Sequence, residues 1–335
     1  MRSEALQFRR RLRATALAAV VLGSLLAAGP TAVASPATAQ TSTAVITRVE
    51  PITDRQVRVF IDSPAMQGEV QVQVLLPRDA TTARPTVYLL DGRSATPGTN
   101  NWIEQGEAVE FFEDKPVNAV ITTGGRASYY TDWQQTDPVL GHMKWETFLT
   151  QELPPLIDAR FNGNGAQSLV GLSMGAHSAM MLAFRNPELY SGVAAFSGCY
   201  ETDNPIGFAQ MGLIIDSYDG NIHNMWGPLG DPDWAAHDVF RHAEQLRGMD
   251  IYVSTATGLP GYNETLDNPD LLELVAVGGP LEAVSYACTR NLDARLSSLS
   301  IPATFVYNDS GVHTWAYWRD ELPKSWPTLA RSLGI

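Results

Sequence analysis

Ser173 stands between two glycines in the segment Gly171-Leu172-Ser173-Met174-Gly175, where its hydroxyl could act as a nucleophile. An apolar run precedes the segment and small residues follow it, an order typical of a strand, a sharp turn and a helix. On such a turn the serine is strained, and glycines two residues away leave room for it. The G-x-S-x-G motif alone is weak because short strings recur by chance. Its setting favours a nucleophile over a small residue that the turn merely tolerates.

A serine hydroxyl needs a base that takes its proton, and the base needs a carboxylate that orients it. The chain has six histidines, at positions 142, 177, 223, 237, 242 and 313. Where a strand-turn-helix presents the serine, the order along the chain is serine, acid, histidine. Only His313 lies beyond the last predicted strand, so it is the predicted base. His177 is predicted to be a packing or surface residue, and the three histidines at 223–242 are predicted to be solvated.

The sequence determines the carboxylate that orients the base less clearly than it determines the serine and the histidine. Several carboxylates lie between the predicted strand at 250–258 and His313: Glu264, Asp267, Asp270, Glu273, Glu282 and Asp293. Spacing alone does not choose among them, and most must be solvated charges in loops. Glu282 has an apolar setting, "GGPLEAV", that could hold a buried carboxylate against an imidazole.

Continuous apolar runs predict the strands that would position these side chains, because strands buried on both faces of a parallel sheet read this way. The runs are 85–92, 117–125, 166–173, 191–198, 250–258 and 301–309. Before them, 55–63 and 69–77 alternate apolar and polar residues and predict an antiparallel entry pair. Helical stretches at 145–161 and 176–186 lie between strands. We therefore predict an α/β fold with a mostly parallel central sheet and helices on both faces, in one domain from 44 to 335.

Two long, turn-rich insertions interrupt this alternation, at 200–240 and 259–280. Long loops in a compact domain often serve a site, although surface loops also tolerate insertion at little cost. The sequence leaves both interpretations open.

The first 39 residues read as a secretory signal peptide, with cleavage after Ala34 or Ala39. Basic residues precede an apolar run at 14–28, which is short for a membrane anchor because a bilayer requires about 20 residues. We expect a secreted or cell-envelope protein without a transmembrane anchor.

The charge of the chain makes polyanions poor candidates for partners. Its formal net charge is −13, and removing residues 1–39 takes away five arginines and one glutamate, which leaves 18 basic and 35 acidic side chains and a charge of −17. No basic stripe follows the leader, so nucleic-acid binding is not expected. Neutral ligands such as sugars or lipids carry no such penalty.

Cys199 and Cys288 are the two cysteines of the chain, and an exported protein meets an oxidising setting. We predict a disulfide between them; the alternative is two buried thiols. No CxxC, HExxH or EF-hand pattern occurs, so neither a metal site nor a cofactor is expected.

A set of longer motifs resembles the secreted mycolyltransferases of the antigen 85 family. In chain order they are "YLLDG" (88–92), "SYYTDW" (128–133), "KWETFLTQELP" (144–154), "GLSMG" (171–175), "MWGPLGDPDW" (225–234) and "GVHTWAYW" (311–318). They span nearly the whole chain after the leader and are far more specific than the serine motif. The segment "LEAVSYACTRNL" (281–292) and the two cysteines resemble the corynebacterial-type members.

The resemblance implies an α/β-hydrolase fold and transfer of mycolic acyl groups among trehalose esters and cell-wall polysaccharide. It implies Ser173 as nucleophile, His313 as base and Glu282 as acid, with Glu273 as the second candidate because the similarity there is gapped. Trehalose mycolates and envelope glycolipids or polysaccharide would be the partners.

Further site residues also follow from the resemblance. The backbone N–H groups of Met174 and Arg93 would form the oxyanion hole, Asp91 would bridge sugar hydroxyls, and Trp315 would face the active site. The family reads "DGLRAQ" where this chain reads "DGRSAT" (91–96), so the role of the Arg93 side chain stays open. A strand-end cap is the alternative for Asp91.

Two other functions compete with acyl transfer to a sugar. A secreted carboxylesterase would use the same triad and deliver the acyl group to water. A non-catalytic envelope-binding protein on a hydrolase scaffold is the third possibility, although such scaffolds usually lose a triad member and this chain retains every candidate.

Overall fold

One nine-stranded sheet runs through residues 43–335, which are the residues that this computed structural model describes. The strands are β1 (Val45–Pro51), β2 (Gln56–Ser63), β3 (Gly68–Leu75), β4 (Arg84–Leu90), β5 (Asn118–Thr122), β6 (Gly163–Leu172), β7 (Gly192–Phe196), β8 (Asp250–Ala256) and β9 (Thr304–Asn308). Their order across the sheet is β1-β2-β3-β5-β4-β6-β7-β8-β9. The strands from β5 to β9 in that order are parallel, and β1 to β3 are antiparallel to their neighbours.

Eleven α-helical segments within the described residues connect or cover the strands. They are α1 (Asn101–Glu104), α2 (Ala108–Phe111), α3 (Trp145–Thr147), α4 (Leu153–Phe161), α5 (Met174–Arg185), α6 (Pro205–Asp216), α7 (His223–Trp226), α8 (Pro232–Ala236), α9 (Leu271–Glu273), α10 (Gly279–Ser298) and α11 (Trp315–Ser332). Single turns of π-helix, Phe148–Glu152 and Leu274–Gly278, join α3 to α4 and α9 to α10.

Both faces of the sheet are buried, as the continuous apolar runs predict. In β4, Tyr88 and Leu90 belong to one hydrophobic cluster, whereas Val87 and Leu89 belong to another. Successive side chains of a strand point to opposite faces, so the two clusters lie on opposite sides of the sheet. The α5 side chain Met180 packs in the first cluster and Leu322 of α11 in the second. The predicted α/β fold with helices on both faces is confirmed.

The predicted strands and helices are present, with two differences. The antiparallel entry consists of three strands, because the exposed edge strand β1 precedes the predicted pair. The insertions also hold helices: α6 lies within 200–240, and α9 with its π-turn lies within 259–280. The predicted signal peptide, residues 1–39, lies outside the described residues.

The run Leu271–Ser298 is long and apolar enough to cross a membrane, and it is the one helix within residues 43–335 with that property. It contains Glu282, Leu292 and Leu296, which are buried within the fold, and α10 packs against β8. Other apolar side chains of the run, including Leu272, Val277 and Leu281, are exposed.

The predicted site residues meet at one edge of the sheet. Asp91 follows β4, Ser173 follows β6, and His313 lies in the loop between β9 and α11. The carboxyl ends of parallel strands lie at the same edge, and ligand sites of open α/β sheets form there.

Candidate active site

Ser173 occupies a sharp turn between β6 and α5. Its backbone angles, φ 52° and ψ −120°, fall in a region that L-residues rarely adopt. A Cβ on Gly171 would lie 2.0 Å from the carbonyl oxygen of Gly175, and a Cβ on Gly175 would lie 2.5 Å from that of Asp91. Only glycine fits at these two positions, which explains the pattern of the motif. The turn holds the Ser173 hydroxyl at the start of α5, where the helix dipole favours negative charge.

His313 lies within hydrogen-bond distance of both of its predicted partners. Its Nε2 atom is 2.8 Å from Oγ of Ser173, and its Nδ1 atom is 2.8 Å from Oε2 of Glu282. The His313 backbone N–H donates to the carbonyl of Gly278 in the π-turn before α10, which fixes the loop against the helix that carries the acid. The three side chains therefore form a continuous row from hydroxyl to imidazole to carboxylate.

Glu282 is the one predicted acid candidate that contacts His313 in this structure. It lies on the first turn of α10 and is 1% exposed. Glu273, the second candidate, is exposed and lies on the wall of a cavity instead. Glu264 accepts hydrogen bonds from Tyr317 Oη and the backbone N–H of Gly261. These placements separate candidates that spacing could not.

Three donors hold the other oxygen of Glu282. Oε1 accepts hydrogen bonds from Ser197 Oγ at 2.8 Å, Thr255 Oγ1 at 2.9 Å and the backbone N–H of Ala256 at 2.7 Å. Burial pushes the pKa of Glu282 up, but the hydrogen bond and charge of His313, together with the other donors, outweigh it and leave the pKa below its ordinary value. The carboxylate is therefore ionised at neutral pH.

The predicted oxyanion donors lie beside Ser173. Met174 begins α5, so its N–H is one of the first-turn groups without an acceptor inside the helix. A Cβ on Gly92 would lie 3.7 Å from Cβ of Ser173, which brings the backbone at 92–93 next to the hydroxyl. Neither the Met174 nor the Arg93 N–H donates to a backbone carbonyl of the described residues. Within those residues, neither N–H is committed to a backbone acceptor, which the predicted oxyanion role requires.

The Asp91 side chain is fully buried and satisfied within the protein. Its Oδ1 atom accepts from the N–H of Gly92, and Oδ2 accepts from the backbone and side-chain amides of Asn101 at the start of α1. Burial raises the pKa of Asp91 above its ordinary value, although those hydrogen bonds oppose the rise. This arrangement is that of a strand-end cap, and the predicted sugar contact stays a prediction.

Trp315 and Arg93 both line a cavity beside Ser173. Trp315 is half-buried on the first turn of α11 and lines a polar cavity. The Arg93 side chain extends to the end of α6, where it donates to Ser217 Oγ at 3.4 Å and lies 5.9 Å from the ring of Tyr218.

Two cavities meet at Ser173 and His313. The first, of about 260 Å³, lies between α6 and α10 and is mostly apolar. Its wall includes Met174, Met211, Leu213, Ile214, Val277, Leu281 and Val284. The second, of about 310 Å³, is more polar and includes Asp91, Ser94, Asp270, Glu273, Thr314 and Trp315. Arg93, Val277 and Leu281 line both cavities. The hydroxyl of Ser173 therefore lies where a mostly apolar cavity meets a more polar one.

The predicted disulfide between Cys199 and Cys288 is present. It ties the segment after β7 to α10, and Cys199 also lines the apolar cavity. The covalent link therefore ties α10 to a second segment that lines that cavity.

Sequence reasoning missed Ser197, Thr255 and Trp318. Ser197 directly follows β7, and Thr255 lies at the end of β8, so both are at the carboxyl ends of predicted strands. That position was the available signal. His237 was predicted to be solvated but is buried, with its ring stacked 4.4 Å from Trp226.

Comparisons with known proteins show the family of this chain. The model of the putative esterase family matches residues 63–329. The diacylglycerol acyltransferase/mycolyltransferase Ag85A of Mycobacterium tuberculosis is 31% identical over 286 residues, which cover 82% of this chain and 80% of that protein. Ag85B of Mycobacterium avium is 30% identical over 290 residues, 82% of each chain.

Solved structures share the fold. The crystal structure of Mycobacterium tuberculosis MPT51 matches with a TM-score of 0.69 at 24% identity, over 81% of this chain and 96% of that one. An S-formylglutathione hydrolase from Agrobacterium tumefaciens matches with a TM-score of 0.63 at 18% identity, over 86% and 99%. The sequence matches, together with the serine on its strained turn, place this chain in the putative esterase family and among the Ag85 diacylglycerol acyltransferase/mycolyltransferases.

Proposed function

We propose that this protein is an acyltransferase that moves a mycolyl group from trehalose monomycolate, through an acyl-enzyme on Ser173, to trehalose or a cell-wall sugar hydroxyl. The observation that carries the proposal is the row Ser173–His313–Glu282 at the junction of an apolar and a polar cavity. An acyl ester of a sugar has these two halves, and its ester bond would lie at the junction.

The apolar cavity supports a long acyl chain as the transferred group. Its rim is open and apolar, since Leu213 is 72% exposed, Val277 52% and Leu281 45%. Exposed apolar side chains around a cavity mouth mark a site that binds an apolar ligand. The helix α6 has no charged residue before its last position, Asp216, so it offers such a chain an uncharged wall.

The polar cavity supports a neutral polyol rather than an anion. Asp270 and Glu273 lie on its wall and outnumber the one cationic side chain there, Arg93, and the protein carries excess negative charge, so a phosphate or carboxylate is disfavoured. Trp315 offers an indole to the apolar face of a sugar ring. Asp91 and Trp315 are the residues we propose for sugar binding.

The chemistry follows from the hydrogen bonds. Nε2 of His313 takes the proton of Ser173 as Oγ attacks the ester carbonyl carbon, and Glu282 stabilises the imidazolium through Nδ1. The negative carbonyl oxygen would receive hydrogen bonds from the backbone N–H groups of Met174 and Arg93. The imidazolium then protonates the leaving sugar oxygen, which leaves the acyl group on Ser173.

The second half of the reaction reverses these roles. A sugar hydroxyl enters the polar cavity and gives its proton to His313 as its oxygen attacks the acyl carbonyl. Ser173 leaves as the ester forms, and its oxygen recovers the proton from His313. Water in the same position would give hydrolysis, so the acceptor decides between transferase and esterase.

We further propose that residues 1–39 direct export and that the protein works in the cell envelope or medium. The Cys199–Cys288 disulfide supports an oxidising compartment.

The distribution of the acyl group between trehalose and water tests the proposed function. Trehalose monomycolate would be incubated with the protein and isotopically labelled trehalose, and the lipids analysed by mass spectrometry. We expect labelled trehalose mycolates with the wild type and none with Ser173→Ala. Free mycolic acid as the sole product would overturn the transferase in favour of a carboxylesterase, and no product at all would favour a non-catalytic protein.

Two matched variants on α6 test the acyl cavity. Leu213 and Ile206 are both 72% exposed, but only Leu213 lines the cavity. We expect Leu213→Asp to raise KM for long-chain p-nitrophenyl esters about 10-fold more than for the butyrate, because a charge would face the chain. Ile206→Asp should leave the ratio of KM for the long-chain ester to KM for the butyrate unchanged. Equal effects of the two variants would contradict the assigned cavity.

A further inference from the structure

Trp318 contacts both the base and the residue that holds the acid. It lies on the first turn of α11 and is 6% exposed. Its ring is perpendicular to the imidazole of His313, with centroids 4.8 Å apart and an angle of 85°. Its indole Nε1–H donates to Oγ of Ser197 at 2.9 Å.

The direction of this hydrogen bond determines where the Ser197 proton points. An indole N–H can only donate, so Ser197 Oγ must accept from Trp318. The hydroxyl has one proton left to donate, and Oε1 of Glu282 lies 2.8 Å away. Trp318 therefore orients Ser197 as a donor to the carboxylate.

The three donors to Oε1 of Glu282 determine which oxygen of this carboxylate faces His313. With three donors on Oε1, the carboxylate cannot rotate without breaking several buried hydrogen bonds, which leaves Oε2 facing Nδ1 of His313. Of the three, the donor from Ser197 is the one whose orientation depends on a side chain that also packs on His313.

The backbone of Ser197 supports a positioning role. Its φ is 54°, which is unfavourable for a residue other than glycine. Its N–H donates to the carbonyl of Ser254 on β8, and its carbonyl accepts from Oγ of Ser285 on α10, the helix that carries Glu282. Strain of this kind persists where the surroundings over-determine the conformation, which is common beside active sites.

We propose that Trp318 and Ser197 are positioning residues, which act as one unit to fix the Glu282 carboxylate and the His313 ring for proton transfer from Ser173. The inference rests on the proposed function only in that it requires the same triad, and it holds whether a sugar or water accepts the acyl group.

Hydrolysis of p-nitrophenyl butyrate across pH tests this unit, because the substrate needs the triad but neither cavity in full. Trp318→Phe keeps a ring against His313 and removes the N–H. Ser197→Gly removes the hydroxyl and accepts a positive φ without strain, so it should fold. We expect Ser197→Gly to lower kcat about 10-fold with KM within about 2-fold, because it removes one hydrogen bond to a charged group. Trp318→Phe removes a hydrogen bond to the neutral Ser197 hydroxyl and should lower kcat in the same direction, by no more than Ser197→Gly.

The acid limb of the pH profile gives a second readout. A carboxylate that loses a hydrogen-bond donor holds a proton more tightly, because its charged form is less stabilised. Since Glu282 and His313 are coupled, the pair as a whole should also hold a proton more tightly. The acid limb should therefore move to higher pH in both variants. A purely structural role would lower the amount of folded protein and leave the limb in place.

Trp133→Phe is the matched control. Trp133 is a buried tryptophan whose Nε1–H donates to the carbonyl of Ser128 at 2.9 Å, without a contact to the triad. It should keep the wild-type kcat and acid limb. The double variant of Trp318 and Ser197 should match Ser197→Gly alone, since Trp318 acts through Ser197.

Additive losses in the double variant, or an unmoved acid limb with unchanged kcat, would overturn the proposal. If the wild type hydrolyses the ester but never acylates trehalose, the proposed function fails and this inference stands. If the wild type does not hydrolyse the ester at all, both fail.

Discussion

The Nε2 atom of His313 lies 2.8 Å from Oγ of Ser173, although the two residues are 140 positions apart in the chain. Each follows a strand of one parallel sheet, Ser173 after β6 and His313 after β9. The sheet brings the carboxyl ends of these strands to one edge, and α10 adds Glu282 from above β8. The fold thus assembles the triad from three distant segments.

The strained turn at Ser173 should cost stability. Replacing Ser173 with glycine should raise the free energy of unfolding by about 1 kcal/mol, because glycine adopts φ 52° without a Cβ penalty. Ser173→Ala keeps the Cβ and should leave stability close to that of the wild type. Both variants should be inactive. Urea unfolding at pH 7 would measure the difference, and equal stability of the glycine and alanine variants would refute the assigned strain.

The two glycines of the motif are required by space rather than by φ. Gly171→Ala and Gly175→Ala should each lower the free energy of unfolding by about 3 kcal/mol or more, because the new Cβ would meet backbone oxygens. Gly68→Ala is the control, since a Cβ there has no atom within 4 Å. Thermal unfolding would compare the three, and a mild effect at both 171 and 175 would show that the turn can relax.

The buried His177 should make stability depend on pH. Burial lowers the pKa of His177 to about 4 from the ordinary 6.5, against the opposing hydrogen bond to the Cys199 carbonyl. Between these values the unfolded chain binds a proton that the folded protein excludes, so stability is complete above pH 6.5 and falls as the pH drops towards 4. The loss should be roughly 3 kcal/mol over that window.

Urea unfolding at pH 7 and pH 5 would isolate this contribution. His177→Gln should show a smaller difference between the two pH values than the wild type. His223→Gln, which alters an exposed histidine, should retain the wild-type difference. A His177 variant with the full wild-type pH dependence would be inconsistent with a neutral buried imidazole.

The Cys199–Cys288 disulfide should contribute strongly to stability because it closes a long loop. With a sequence separation of 89 residues, the chain-entropy model gives about 4 to 5 kcal/mol. The double variant Cys199→Ser, Cys288→Ser should lose about this amount in urea unfolding without reductant. A loss below about 1 kcal/mol would mean that the unfolded chain gains little freedom when the link is removed.

Sequence patterns were sufficient for most of the sheet, for Ser173 and for His313, and insufficient for the acid and for what surrounds the site. The buried strands and the Ser173 turn depend on local apolar runs and glycine spacing, which one sequence displays directly. The choice of Glu282 over Glu273 needed the family resemblance, because it depends on the packing of α10, which carries Glu282, against β8, whereas Glu273 lies on α9. The helix α6, which forms one wall of the apolar cavity, lies in an insertion that the sequence pattern predicts only as turn-rich.

The tryptophans show the same limit. The resemblance points to Trp315, which lines the polar cavity together with Trp318. Trp318, three residues later on α11, is the one that packs against the imidazole. Both lie on the first turn, and only the angle at which the helix meets the sheet distinguishes their environments.

Mass spectrometry after exposure to a fluorophosphonate probe tests most directly whether His313 activates Ser173. The wild type should gain a single adduct, located on the peptide that contains Ser173, and Ser173→Ala should gain none. His313→Gln should react at least about 10³-fold more slowly than the wild type, because the base that takes the Ser173 proton is gone. An adduct on another residue, or labelling of His313→Gln at the wild-type rate, would contradict the account.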